Sequence, residues 1–175
     1  MARPSERDMQ RVFEVRRALE RAIAANLATR WGGQTLALMR GHLDAENRAR
    51  GAGDRAELAR LTGLFQVRLA KITENRLFSD DLRRQVALTS LVIAQYDAQA
   101  HSACPEHEHE HEHSDIIEAL EAGDTRRAER LMLKHLDHVE AGIQPPTPNQ
   151  RGVDFEEIVS TVAKPSSRRS KQGRA

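Results

Sequence analysis

The sequence predicts an all-α protein, an antiparallel bundle of about six to seven helices. Three observations support this. Aromatic residues make up 3 % of the 175-residue chain (four Phe, one Trp, one Tyr), while Ala and Leu are prominent. Strands favour β-branched and aromatic side chains, whereas Ala and Leu favour helices. No stretch alternates apolar and polar residues as a half-buried strand does, and none repeats at a fixed long period. Glycine breaks followed by capping residues instead divide the chain into helix-length pieces.

Pro4-Ser5 before Glu6-Arg7-Asp8 reads as a helix start, with Ser5 as N-cap and acidic residues in the first turn. This first helix runs to about Arg30, before Gly32-Gly33. A second covers roughly Gln34 to Ala49 and stops at Gly51-Ala52-Gly53. Asp54 caps a third, reaching about Thr73, and a fourth covers Leu77 to Ala98. Cys104-Pro105 opens a run of alternating Glu and His from Glu106 to His113. A fifth helix emerges from that run and ends near Gly123; Asp124 caps a sixth, to about Ala141. After Pro145-Pro146 comes a loop, one short helix from Phe155 to Val162, and a tail from Lys164 to Ala175.

Composition narrows the function. The net charge of +1 argues against a protein that coats nucleic acid. The tail holds Lys164, Arg168, Arg169, Lys171 and Arg174, which leaves the rest of the chain net acidic. Such a tail is expected to be disordered and solvated, with a nucleic-acid or partner contact as the other reading. Charged residues make up 30 % of the chain and no apolar run approaches a membrane span, so no membrane is expected as a partner. The single cysteine, Cys104, has no internal disulfide partner, and the N-terminus lacks an apolar signal segment. Both fit a cytoplasmic protein.

Several polar residues fall where an apolar stripe belongs. Residues spaced three, four, seven and eleven apart share a helix face. In the first helix that face is Met9, Val12, Leu19, Ile23 and Leu27, with Arg16 in its middle and Glu20 on its edge. A guanidinium buried without a partner is costly. One reading is an Arg16–Glu20 ion pair that ties the bundle together. The other is an inward arginine that grips a ligand carboxylate bidentately. His113 shares a face with Ile116, Ile117 and Leu120, and His135 lies within the stripe Ala128, Leu131, Met132 and Val139. Two histidines on consecutive apolar faces can converge and hold zinc, nickel or iron, or they can be satisfied core residues. On the third helix, Thr62 and Gln66 flank the stripe Leu58, Leu61, Phe65, Leu69 and Ile72 and can line a cavity. The Glu/His run supplies i,i+4 histidine pairs and, at Glu110-x-x-His113, an E-x-x-H spacing, but outside the run there is no second E-x-x-H of the kind a di-iron centre needs. It reads as a surface segment that collects metal adventitiously.

Four segments in register carry a family resemblance. They are Glu14-Val15-Arg16-Arg17-Ala18-Leu19-Glu20, Phe65-Gln66-x-x-Leu69-Ala70-x-x-Thr73-x-Asn75, Glu112-His113-x-x-Ile116-Ile117-x-Ala119-Leu120-x-x-Gly123-Asp124, and Ala128 through Met132-x-x-His135-Leu136. Together they resemble the FCD domain, the C-terminal effector-binding and dimerisation domain of GntR-family transcriptional regulators of the FadR subfamily. The resemblance covers about residues 5–143. It implies an FCD-like helical bundle at 6–143, a linker remnant at 1–5, and a C-terminal extension at 144–175 that is mostly disordered basic tail. It also implies a homodimer and a small carboxylate effector, with Arg16, Thr62, Gln66 and Asn75 at the effector site. Many relatives hold a divalent metal with an Asp and a His four apart, plus two later histidines. By position, His113 and His135 match the later pair, while Thr62 and Gln66 stand in place of the first two. The implied zinc, nickel or similar ion is therefore weakly bound or absent, and Glu74 stands where the family usually has Gly.

Relatives contact DNA through a winged helix-turn-helix, which this sequence lacks. The expected function is ligand sensing and dimerisation in a bacterial transcriptional regulator. The competing reading is a stand-alone metal-binding module that uses the Glu/His run with His113 and His135. No nucleophile–base pair, phosphate loop or complete metal triad points to an enzyme.

Overall fold

The computed structural model describes residues 6–27, 30–97 and 111–143. Six helices follow one another: α1 (Glu6–Leu27), α2 (Gly33–Gly51), α3 (Arg55–Ile72), α4 (Arg76–Asp97), α5 (Glu112–Glu121) and α6 (Thr125–Ala141). No strand occurs among the described residues, so the all-α expectation holds. The Ser5 cap, the Glu/His run as far as Glu110, the helix expected at Phe155 to Val162 and the basic tail lie outside the described residues.

Three short turns set the topology. Gly53 (φ +67°) and Gly123 (φ +69°) adopt the left-handed conformation that ends a helix cheaply only without a Cβ. In each, the following Asp begins the next helix. The Asp54 carboxylate accepts the Glu57 N–H at 3.0 Å, and the Asp124 carboxylate accepts the Arg127 N–H at 2.9 Å. The α3–α4 turn is built the same way with other residues. Glu74 has φ +58°, and the Asn75 carboxamide oxygen accepts the Leu77 N–H at 3.1 Å. Connections this short make neighbouring helices antiparallel. The described part of α1 reaches Leu27, and Arg30, the expected end of the helix, lies in a turn and donates its N–H to the Leu27 carbonyl.

α1 packs against α6, α4 and α3; α3 packs against α4 and α2; α5 packs against α6 and α2. Ile23, Leu27, Met39, Phe65, Leu69, Leu82, Leu120 and Met132 form the buried centre. Each such side chain contributes about 1.5–3 kcal/mol relative to exposure. Leu and Met thus supply the burial that aromatics supply in other cores. Gly63 lets α3 approach α4 closely, since a Cβ there would lie 3.3 Å from Val86 Cγ1. On the outside, Arg17 pairs with Asp137 at 2.7 Å and with Glu140, and Arg21 pairs with Glu129 at 2.7 Å. Later residues of α1 thus meet earlier residues of α6, as antiparallel helices require. Trp31, between α1 and α2, packs half-buried against the same core. No helix among the described residues is long and apolar enough to cross a membrane.

Candidate functional site

Buried charged and polar side chains come from all six helices. From α1 come Arg16 (4 % exposed) and Glu20 (0 %). The Arg16 Nε and Nη2 both donate to Glu20 Oε1, at 3.0 and 2.8 Å, and Nη1 donates to Thr89 Oγ1 of α4 at 3.3 Å. Thr89 passes its own hydrogen to the Gln85 carbonyl. The guanidinium also lies over the Phe13 ring, 5.9 Å from its centre. The ion-pair reading of these two residues therefore describes the geometry. The second Glu20 oxygen, Oε2, is buried with no partner.

α2 brings two residues that the sequence reading passed over, His42 and Glu46, both buried. His42 Nε2 lies 3.1 Å from Glu46 Oε1 and 3.1 Å from the Leu61 carbonyl. Both neighbours only accept, so this nitrogen carries the hydrogen. His113 of α5 reaches the same carboxylate, its Nδ1 lying 3.0 and 2.9 Å from the two oxygens. Burial pushes the Glu46 carboxyl up, but hydrogen bonds from His113 and His42, together with their charge, outweigh it and hold the group at about 2. The His113 ring stacks on Phe65, centres 3.8 Å apart and planes 5° apart. Its Nε2 is buried without a partner.

α6 completes the group. His135 and His113 stand 4.7 Å apart, ring centre to ring centre, so the two histidines do converge as their positions on adjacent apolar faces led one to expect. His135 Nδ1 lies 2.8 Å from Glu112 Oε2, and His138 Nδ1 meets the other oxygen of the same carboxylate. Burial pushes the His135 imidazole down, with Glu112 opposing. The result is two carboxylates, each shared by two imidazoles.

The remaining expected site residues are split. Gln66 is buried beside Phe65, with its Nε2 unpartnered. Thr62 is half-buried one turn earlier. Asn75 stands exposed in the α3–α4 turn, apart from this buried group, where it caps α4. Among the described residues, no three His, Cys, Asp or Glu side chains are placed to hold a metal ion. His42, Glu46 and His138 were not anticipated, and Glu112 only as part of the Glu/His run. A signal existed, because Met39, His42, Glu46 and Ala49 follow helical spacing on the buried face of α2.

The model of the FCD domain matches residues 11–138, and the chain belongs to that family. Nine chains of solved structure match it. One is Streptococcus agalactiae GntR, 24 % identical with a TM-score of 0.60, the match covering 77 % of this chain and 58 % of that one. Another is E. coli McbR/YncC, 16 % identical with a TM-score of 0.67, covering 78 % of this chain and 66 % of that one. At such identities the likeness is one of fold. This chain spans less than two thirds of either neighbour. Among curated proteins none matches it.

Proposed function

We propose that this chain is the ligand-sensing and dimerisation domain of a GntR/FadR-type transcriptional regulator, binding a small organic acid within the bundle. Family membership supports the sensing role, and the two structural neighbours bear regulator names. One observation carries the acid. Arg16 is buried, yet its bonds to Glu20 and Thr89 use one hydrogen on each nitrogen. A guanidinium has five, so one N–H on each Nη remains for a ligand carboxylate, which that planar fork fits. Binding would shift the dimer geometry, and with it the placement of the winged helix-turn-helix modules that contact DNA in this family. The test is a thermal-shift screen of small carboxylates and sugar acids, with and without divalent metal, beside a light-scattering mass. We expect a dimer that at least one acid stabilises. A monomer indifferent to the whole panel would end this reading.

A second reading keeps a weak divalent cation at His113 and His135. It is favoured by the carboxylates on their Nδ1 atoms, since a metal-bound imidazole commonly donates its other N–H to a carboxylate. Water or the effector would complete the shell. Calorimetric titration of zinc into metal-free protein separates the readings, because no uptake at roughly millimolar ion excludes even a weak site.

A further inference from the structure

We infer that Arg16 and Glu20 act as one recognition pair for a zwitterion, a small acid with an ammonium group beside its carboxylate. This rests on the acid-sensing reading above and narrows its ligand class. The geometry of the pair is lopsided. Arg16 places both of its bonds to Glu20 on Oε1, leaving Oε2 without any partner although Glu20 is fully buried. A symmetric fork-to-fork salt bridge would have used both oxygens. Leaving a carboxylate oxygen buried and unbonded is costly, so this oxygen calls for a donor.

The surroundings do not supply one. Thr89 gives its hydrogen to the Gln85 carbonyl, and the Nδ1 atoms of His135 and His113 face Glu112 and Glu46. Two more buried atoms lack partners, Gln66 Nε2 of α3 and His113 Nε2 of α5. A plain carboxylate would satisfy the spare Arg16 hydrogens but bring a second negative charge up to Glu20 with nothing for Oε2 to accept. An ammonium group beside the carboxylate removes both difficulties. Its N–H donors fill the vacant Glu20 oxygen, and its charge offsets the repulsion.

Matched ligands test this in the unaltered protein. Three skeletons are used, each as plain acid, 2-hydroxy acid and 2-amino acid: propionate, lactate and alanine; succinate, malate and aspartate; glutarate, 2-hydroxyglutarate and glutamate. Affinities are read by calorimetry. On whichever skeleton fits, the amino acid should bind about tenfold or more tightly than the plain acid, with the hydroxy acid between them. Glu20→Gln should erase that preference while retaining plain-acid binding. Plain acids binding as tightly as their amino counterparts would overturn the pairing and leave the acid-sensing reading intact. No binding by any member would overturn both. If Glu20→Gln fails to fold, the ratio within the unaltered protein still decides.

Discussion

Glu46 accepts hydrogen bonds from two imidazoles inside the bundle, and its ionised form is therefore favoured by folding. Its carboxyl sits at about 2 against an ordinary 4.5. The resulting stabilisation, on the order of 3 kcal/mol, is complete above the ordinary value and is lost as pH falls from about 4.5 toward 2. His135 acts in the same direction at higher pH. Burial lowers its folded value, so unfolding gains a proton as pH drops below about 6.5. Stability should therefore decline in two stages on acidification, and Glu46→Gln should remove the lower one. An equally steep loss between pH 5 and 3 in that variant, read by urea titration, would contradict this. The Arg16–Glu20 pair gives a second expectation. Arg16→Ala strands a fully buried carboxylate and should cost about 3–5 kcal/mol, whereas Arg16→Met with Glu20→Met together should cost much less. Chemical denaturation of the single and double variants makes the comparison.

The helix boundaries were legible because the turns are written in local chemistry. Gly53-Asp54 and Gly123-Asp124 each combine a left-handed terminator with an N-cap, and both helices begin where those pairs place them. The α3–α4 turn keeps that backbone with Glu74 at the left-handed position, where a side chain costs roughly 1 kcal/mol. Glu74→Gly should accordingly stabilise the protein by about 0.5–1 kcal/mol, less the small worth of the exposed Arg30–Glu74 ion pair. A lower urea midpoint for that variant would show the strain to be absent. α2 was harder to read. Two of its four buried residues are His42 and Glu46, so its inward face does not look apolar. The local pattern cannot reveal that a distant histidine neutralises the cost of burying that carboxylate.

Across the whole molecule, the order of helices and the family were recoverable from sequence, as was the Arg16–Glu20 pair within one helix, whereas the pairing of polar groups between helices was not. Glu46 meets His113 from 67 positions away, and Glu112 meets His135 from 23. Position-by-position likeness drew attention to Thr62 and Gln66 on α3. The side chains that hold the His113 and His135 rings come instead from α2 and α5, and only packing shows this. Packing also singles out Trp31, the sole tryptophan of the chain, held between α1 and α2 against the common core. Its indole Nε1 is shielded and without a partner. The molecule thus carries its own optical reporter, and the signal is confined to one corner. Indole emission follows that corner, while far-ultraviolet circular dichroism follows all the helices. The shared core should make the two melting curves coincide. Emission that shifted first on heating would show the α1–α2 corner opening ahead of the rest.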